Sequence, residues 1–265
     1  MKKVIITLLS LVLLFAAGTA SSQKDNQLKV FYPGEYIEYE VSFMGIKLGN
    51  IIITSKEYTE LNGKKVVTAK AEMRSAKGIP FVDLHAFFDS WISPGLNFSH
   101  QFYAKVKNDE KSWFLETYLV NNDAKEVKYE KWLEKEQLMK KDMKFESRVL
   151  DGCSLFFFAR QFTDLKKTVR VPTLMNESIS FTNLNFHGEK QNVEIDAVKY
   201  PVKVLYFDGR ADWEGIYGLK GYFQGWFSDD EARVPIKALM NVYVGNVEIT
   251  LTKWKRGDWQ PPKGK

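Results

Sequence analysis

The sequence predicts a mainly β protein, built on one large curved antiparallel sheet (a half-barrel or an open barrel) with one or two short helices. About a dozen segments alternate between polar and apolar side chains, which is the period of a strand with one buried face. Turn-forming residues separate these segments, and one segment has helical spacing instead. Because strands twist and unpaired edges are hazardous, a sheet with this many strands is expected to curl or close.

The first half of the chain predicts strands that follow one another in a meander. The first three are predicted at residues 34–43, 50–58 and 64–74. The last two of these are joined at Asn62-Gly63, because both positions of such a turn accept a positive φ angle. Further strands are predicted at residues 90–93, 98–107, 111–120 and 125–134. Residues 81–88 fit either a short helix or a strand, and the charged residues 135–144 show a weaker pattern.

One helix is predicted at residues 151–162. Asp151 is its candidate N-cap residue, and Leu155, Phe158 and Phe162 recur at the spacing of a helix face. The aromatic face of this helix is interpreted as core packing rather than as a ligand-binding surface.

The second half of the chain returns to the strand pattern. Strands are predicted at residues 168–172, 177–187, 191–195, 200–208, 222–228, 233–240 and 241–255. The glycine-rich residues 209–221 contain Trp213 and Tyr217, and they predict a loop that closes over one end of the sheet.

The N-terminal residues have the pattern of a secretory signal peptide. Lys2 and Lys3 precede an apolar run, which is followed by small residues and is shorter than the roughly 20 residues that span a bilayer. We expect a signal peptide at residues 1–22, a single β-rich domain at 23–258 and a flexible tail at 259–265. The mature protein is then periplasmic or secreted and has no transmembrane segment. A retained N-terminal membrane anchor is the alternative.

Composition excludes some classes of partner. The chain has 38 Lys and Arg against 33 Asp and Glu, and the two signs are interleaved, which indicates a mixed solvated surface and no nucleic-acid partner.

The single cysteine, Cys153, allows no internal disulfide, so the core has to hold the fold. His85, His100 and His187 lack the spacing of metal ligands, so neither a metal nor a cofactor is predicted.

Four groups of residues carry a resemblance to a known family. They are Tyr39-Glu40-Val41 with Gly45 and Gly49; Asp89-Ser90-Trp91 with Leu96 and Phe98; Asp151, Ser154 and Arg160; and Trp226, Ser228, Asp229, Asp230, Arg233, Pro235 and Val244-Gly245. Together they resemble the family called domain of unknown function 3108, found in exported bacterial proteins, over nearly all of the mature chain. That family has no established reaction, so the resemblance implies a compartment and a fold class but no chemistry.

Candidate site residues follow from the aromatic content and from the family motif. Large aromatic side chains line apolar pockets in the mouths of β-barrels, although they also fill wide cores. The candidate ligand-binding residues are therefore Trp213, Tyr217, Trp226 and Phe156. The motif residues interpreted as structural are Asp151, Ser154, Arg160, Asp229, Asp230, Arg233, Pro235 and Gly245.

No catalytic residue is predicted, although two features have a chemical alternative. Cys153 lies at the start of the predicted helix, where a thiol pKa is lowered, but a buried structural cysteine is favoured. The carboxylates of Asp229, Asp230 and Glu231 are oxygen ligands of the kind that calcium takes. They lack the alternation of a calcium loop, so a hairpin turn with Arg233 paired to an aspartate is favoured.

Several functions remain open from sequence. The first is a carrier that encloses a lipid or another amphiphile in the curved sheet, and the second is a non-catalytic scaffold that binds an envelope protein. A hydrolase of envelope polymers would need Asp151, Asp229 or Asp230 in a pocket with another titrating group. An outer-membrane barrel fits the alternation, but the chain ends in a Pro-Lys tail rather than in a strand with a terminal aromatic residue. An empty apolar interior would favour the carrier, and a filled one the scaffold.

Overall fold

The predicted fold class is confirmed by a computed structural model, which describes residues 29–79, 83–214, 221–242 and 245–265. The strands of the first half are β1 (Tyr36–Phe43), β2 (Ile46–Leu61), β3 (Lys64–Ser75), β4 (His85–Ile92), β5 (Ser99–Lys107), β6 (Trp113–Asn121), β7 (Glu126–Leu133) and β8 (Glu136–Lys144). After helix α1 (Gly152–Arg160), the second half has β9 (Lys167–Met175), β10 (Ser178–Val193), β11 (Val202–Ala211), β12 (Gly221–Ser228), β13 (Pro235–Asn241) and β14 (Asn246–Lys255). The expected signal peptide lies outside the described residues.

All of these strands form one 14-stranded sheet, in the order β8-β7-β6-β5-β4-β3-β2-β1-β14-β13-β12-β11-β10-β9. Strands that are consecutive in the chain are neighbours within each half, as the meander prediction requires. The first and last strands join the halves, because β1 pairs antiparallel with β14 from Tyr36 opposite Lys255 to Phe43 opposite Val247. The two edges of the sheet, β8 and β9, therefore lie in the middle of the chain, on either side of α1.

The sheet curls around helix α1. The helix contacts β3 and β4 on one side and β9 on the other. In the strand order, β3 and β9 lie eight spacings apart. At about 4.8 Å per spacing, a flat sheet would hold them roughly 38 Å apart, whereas a helix with its side chains is only about 10 Å wide. Contact with both strands therefore requires a strongly curved sheet.

Polar side chains bridge the gap between the two edge regions. Lys131 Nζ on β7 lies 2.5 Å from Glu177 Oε1, in the turn between β9 and β10, and 3.4 Å from Glu116 Oε1 on β6. The hydroxyl of Tyr118 accepts a hydrogen bond from the backbone N–H of Glu177 at 3.1 Å. The sheet is thus an open barrel. Its opening is spanned by these side chains and by residues 149–150, because the Val149 carbonyl accepts the N–H of Ser99 and the N–H of Leu150 donates to Pro172 of β9.

Buried apolar side chains occupy the space between α1 and the sheet. Phe157 of the helix is fully buried among side chains of β3 to β7, and Leu174 of β9 belongs to the same cluster. Ala159 packs with Phe186 and Phe207 of the second half. The interior formed by the described residues is therefore a packed core that uses the helix as its centre.

Three charged side chains are buried together where the residue before β1 and the residue after β14 meet the end of α1. Arg160, the last residue of α1, donates to Glu35 through both Nη atoms at 2.8 and 3.0 Å, and Nη2 also donates to the carbonyl of Ala232 at 2.8 Å. Arg256, which follows β14, lies 2.5 Å from Glu35 Oε1. The side chains of Arg160 and Glu35 are 0% and 1% exposed. This ion cluster joins the residue before β1, the end of α1 and the residue after β14.

Three segments that the sequence left undecided or divided have a definite structure. β8 is a regular strand despite its charges, because it pairs with β7 along its length. The described part of residues 81–88 enters strand β4 at His85 and forms no helix. The strands predicted at 177–187 and 191–195 are one strand, β10, whose register shifts at a bulge between Phe186 and Glu189.

The C-terminal residues, expected to be flexible, instead pack against the sheet. The backbone N–H of Lys203 donates to the Pro262 carbonyl at 2.8 Å, and that of Gly264 donates to the Pro201 carbonyl at 2.7 Å. Trp259 Nε1 donates to Asp230 Oδ2 at 2.7 Å. Proline breaks regular structure but leaves its carbonyl free to accept, and here two proline carbonyls, one on the tail and one before β11, join the tail to the start of β11.

Gly209 on β11 lets an aromatic ring lie directly on the strand. A Cβ atom there would lie 2.3 Å from the backbone oxygen of Asn183 and 2.4 Å from Phe223 Cζ. Gly209→Ala is therefore expected to lower the free energy of unfolding by about 1–3 kcal/mol, as measured by urea denaturation. Gly152→Ala is the control, because its Cβ would meet nothing closer than Met175 Cε at 3.8 Å and alanine favours a helix. Equal effects of the two substitutions would contradict this packing.

Candidate functional site

Asp151 caps helix α1 as predicted, in a site that is closed to solvent. Its Oδ1 accepts the backbone N–H groups of Cys153 and Ser154 at 2.8 and 2.9 Å, and Ser154 Oγ accepts the N–H of Asp151 at 2.7 Å. Its Oδ2 accepts the hydroxyls of Ser90 and Ser99 at 2.7 and 2.6 Å. Burial raises the pKa of Asp151, and the hydrogen bonds from Ser90 and Ser99 oppose that rise. This carboxyl group anchors the helix to β4 and β5.

Cys153 is buried beside this cap. Burial is the main cause that raises the pKa of its thiol well above the ordinary value, and the neighbouring Asp151 adds to the rise. A thiol in this state is a poor nucleophile, since the thiolate is the reactive form. The geometry therefore favours the structural interpretation of Cys153.

The acidic turn after β12 is held by its own neighbours. Asp229 Oδ2 lies 3.0 Å from Lys190 Nζ and 2.8 Å from Lys203 Nζ, and Asp229 Oδ1 lies 3.9 Å from Arg233 Nη1. Burial acts to raise the pKa of Asp229, but the lysine hydrogen bonds outweigh it and the pKa is lowered. Asp230 Oδ1 accepts the Ser228 hydroxyl and the backbone N–H of Arg233. The predicted pairing of Arg233 with an aspartate is present.

The other motif residues also hold the backbone. Arg160 belongs to the buried ion cluster, and the Pro235 carbonyl accepts the Tyr39 hydroxyl at 3.1 Å. Gly245 has a positive φ of 80°, and its carbonyl accepts the backbone N–H of Val242 at 3.2 Å.

The predicted ligand-binding aromatics do not line one common pocket. Phe156 lies on α1 and packs in the interior. Trp213 Nε1 donates to Thr182 Oγ1, whereas Trp226 Nε1 donates to Gln191 Oε1, both at 2.7 Å. Trp226 lies opposite Tyr206, which is five residues, or roughly 17 Å, from the end of β11 at Ala211. Trp213 lies beyond that end of the strand. Tyr217 lies outside the described residues.

Two open clefts lie away from these residues. The larger, of about 590 Å³, is lined by Pro33, Gly34, Ser55, Lys56, Glu57, Tyr58, Thr59 and Thr68. The smaller, of about 390 Å³, is lined by Arg74, Ser75, Ala76, Lys77, Gly78, Asp83, Leu84, His85 and Lys107. Neither is lined by the carboxylates that the hydrolase hypothesis needs.

A different group of side chains forms a candidate binding site on the second half of the sheet. We define the polar–aromatic surface by seven residues on three adjacent strands, namely Asn185, His187, Tyr206, Asp208, Tyr222, Gln224 and Trp226. It faces away from the helix, since the residues that alternate with it, such as Phe186, Phe207 and Phe227, pack in the core beside α1. The His187 side chain is 41% exposed and Tyr222 is 40% exposed.

A β-bulge turns His187 onto this surface. The β10–β11 register shifts between Phe186 and Glu189, and Gly188 supplies a positive φ of 63° in the bulge. Bulges re-aim side chains and are enriched next to functional sites. Here the bulge places the imidazole Nε2 3.0 Å from Asp208 Oδ2, on the neighbouring strand.

Asp208 is the centre of a preformed hydrogen-bond network. Asn185 Nδ2 donates to its Oδ1 at 2.7 Å, and the Tyr206 hydroxyl donates to its Oδ2 at 3.3 Å. Burial acts to raise the pKa of Asp208, but the hydrogen bonds from Asn185 and His187 outweigh it, so the pKa is lowered. The side chain is therefore an ionised acceptor at neutral pH, held in one orientation from two strands.

Aromatic rings complete the surface in a row across the strands. The ring of Tyr206 lies beside that of His187 and nearly parallel to it, at a centroid distance of 5.4 Å and an angle of 20°, and its centroid is 5.7 Å from that of the Trp226 ring. Gln224 Nε2 donates to the Tyr206 hydroxyl at 2.9 Å, and the Tyr222 hydroxyl lies 3.3 Å from it. This hydrogen bond, followed by burial, raises the pKa of Tyr222. The rings are thus fixed before any ligand arrives.

Within the described ranges, no group of three or more His, Cys, Asp or Glu side chains is arranged to hold a metal ion. In the same part of the chain, helices fall short of the length and hydropathy of a membrane span.

The comparisons with known proteins agree with the fold. The sequence profile of a family described as protein of unknown function (DUF3108) matches residues 38–252. The structure is similar to a β-barrel-like protein of domain of unknown function DUF1849 from Brucella abortus, with 10% identity, a TM-score of 0.58, and 86% of this chain and 100% of that chain covered. At this identity the likeness shows the fold alone.

Two further structures are more distant. One is an exported protein with a YmcC-like fold from Bacteroides fragilis, with 9% identity, 85% of this chain and 99% of that chain covered, and a TM-score of 0.37. The other is described as a lipoprotein from Parabacteroides distasonis, with 8% identity, 84% and 95% coverage, and a TM-score of 0.32. No curated protein matches the chain.

Proposed function

The chain belongs to the family of proteins of unknown function DUF3108, and from this premise we propose that it is a non-catalytic binding protein of the bacterial cell envelope. Its ligand binds on the polar–aromatic surface. The observation that carries this proposal is the network around Asp208 and Tyr206, which fixes exposed and half-buried polar and aromatic side chains from three strands in a single arrangement. Preformed polar groups beside aromatic rings are typical of binding sites. The leader pattern at residues 1–22 supports a periplasmic or secreted location.

The interior is a weaker candidate for the binding site. A lipid or another amphiphile carried inside the sheet needs an apolar volume, and the described interior is occupied by α1 and the clusters around it. Phe156, the predicted interior ligand contact, packs against both Arg160 and the core. We therefore rank a lipid carrier below a protein that binds at its outer face.

Co-sedimentation of the mature chain with an isolated envelope fraction tests the proposed function. Because His187 and Tyr222 are the most exposed residues of the surface, the double variant His187→Ala/Tyr222→Ala should fold normally. We expect it to bind the envelope fraction at least about tenfold more weakly than the wild type, since a few central aromatic contacts dominate binding energy.

Trp113→Ala is the matched control, because the Trp113 ring lies against His85 and Phe87 of β4, in the other half of the sheet. It should bind as the wild type does. Circular dichroism checks that all variants are folded. A double variant that sediments with the envelope as the wild type does, or a Trp113 variant that loses binding equally, would refute the proposed site.

A further inference from the structure

Resting on the proposed function, we infer that the ligand of the polar–aromatic surface is a glycan, an extended chain of uncharged sugar units. A sugar ring has C–H bonds on its faces and hydroxyl groups around its edge. A site that recognises it needs flat aromatic faces next to amides and carboxylates. The surface on β10–β12 has both, in the same row.

The aromatic rings match the faces of sugar rings. The negative face of an aromatic quadrupole attracts the slightly positive C–H groups of a sugar. His187, Tyr206 and Trp226 supply such rings on three neighbouring strands, with centroid distances of 5.4 and 5.7 Å between successive rings. Adjacent strands lie about 4.8 Å apart, so the row spans roughly 10 Å. A row of this length fits more than one sugar unit.

The polar groups match sugar hydroxyls, which both donate and accept. Asp208 supplies acceptor oxygens, and the amides of Asn185 and Gln224 supply both donors and acceptors. Among the described residues, Gln224 Oε1 and His187 Nδ1 have no hydrogen-bond partner, although the opposite ends of both side chains are held at 2.9 and 3.0 Å. Each side chain is therefore fixed by one atom and leaves the other for a ligand.

The charge of the surface disfavours anionic ligands. None of its seven residues is lysine or arginine, and Asp208 is ionised because its pKa is lowered. The neighbouring cations lie beside carboxylates of their own: Lys190 and Lys203 pair with Asp229, and Lys237, opposite Trp226, pairs with Glu248. Arg210, opposite Tyr222, lies 3.8 Å from Asp212. Phosphate groups and nucleic acid, which are bound mainly through cationic side chains, would meet a negative centre here.

Apolar ligands are also disfavoured. A lipid chain laid across the row would cover the Asp208 carboxylate and the hydroxyls of Tyr206 and Tyr222 without replacing their contacts with water. Burying polar groups without a hydrogen-bond partner is unfavourable. A glycan replaces that water with its own hydroxyls.

The test uses the envelope fraction after two treatments, exhaustive protease digestion and chloroform–methanol extraction, which remove proteins and lipids. The mature chain is expected to bind the remaining polysaccharide as it binds the untreated fraction. Tyr206→Phe keeps the ring and removes the hydroxyl that organises the network, so it should weaken binding to the treated material about tenfold. Trp113→Phe, on the other half of the sheet, should leave binding unchanged.

The outcomes separate this inference from the proposed function. In one outcome, the wild type binds the untreated fraction, the His187→Ala/Tyr222→Ala variant does not, and protease or solvent treatment of the fraction abolishes wild-type binding. The ligand is then a protein or a lipid, and the glycan inference is overturned. If binding to the untreated fraction is independent of that double variant, the proposed site itself fails. Binding that survives both treatments and depends on Tyr206 supports the inference.

Discussion

Glu35→Gln is expected to lower the free energy of unfolding by about 3–5 kcal/mol, the usual cost of removing one partner from a buried ion cluster. Among the described residues, Glu35 is the only carboxylate that forms an ion pair with Arg160 and Arg256, at 2.8 and 2.5 Å. Without its charge, two guanidinium groups remain desolvated and face each other. Because the cluster joins both ends of the sheet-forming chain to α1, the β1–β14 seam loses its anchor as well. Urea denaturation followed by circular dichroism measures the effect.

The net charge that a substitution leaves in this buried cluster determines how strongly the substitution destabilises the protein. Arg256→Met leaves the neutral pair of Glu35 and Arg160, so it should destabilise the protein less than Glu35→Gln does. Glu231→Gln is the surface control, since its ion pair with Lys29 is 75% exposed on the glutamate side and should contribute less than about 1 kcal/mol. An Arg256 variant that is less stable than the Glu35 variant would contradict the role of Glu35 as the charge-balancing centre.

Asp151→Ala is expected to lower the free energy of unfolding by about 3 kcal/mol. The lost N-cap accounts for about 1 kcal/mol, and the buried hydroxyls of Ser90 and Ser99 lose the acceptor that both share, at about 1 kcal/mol or more each. These contacts are the link between the start of α1 and strands β4 and β5. The unfolding midpoint in urea is the measurement, and the slope of the transition is expected to be unchanged.

Asp151→Asn distinguishes the contribution of the N-cap hydrogen bonds from the effect of losing side-chain volume. Asparagine keeps an oxygen for the backbone N–H groups of Cys153 and Ser154 and is an equally good N-cap residue. It should therefore cost clearly less than alanine. Equal destabilisation by Asn and Ala would show that the cap contributes little and that the negative charge alone carries the effect.

The sequence predicts local structure well where the signal is itself local. Alternation identified most strands, and Asp151, followed by the helical spacing of Leu155, Phe158 and Phe162, identified the capped start of the helix. The flexible C-terminal tail was an expectation from Pro261-Pro262, but the pairing of the Pro262 carbonyl with Lys203 joins residues far apart in sequence. Arg160 was recognised only as a motif residue, since its partner Glu35 lies 125 positions away.

The candidate site was missed for a related reason. Trp226 was a predicted ligand-binding residue, but its neighbours on the surface come from β10 and β11, and no local pattern shows which strands are adjacent. His187 was considered only as a metal ligand or as a surface histidine. The signal that was present is the pairing of polar and aromatic residues two positions apart, which places both on the same face of a strand. These pairs are Asn185 and His187, Tyr206 and Asp208, and Gln224 and Trp226. Only strand order and the bulge at Gly188 bring these residues together.

The indole N–H resonances of the seven tryptophans test most directly where a ligand binds. In a two-dimensional ¹⁵N–¹H spectrum of the mature chain, assigned by single Trp→Phe variants, addition of soluble material from the envelope fraction should shift the signal of Trp226. The signal of Trp113 should stay in place. A shift that affects Trp113 and leaves the Trp226 signal unmoved would contradict binding at the polar–aromatic surface.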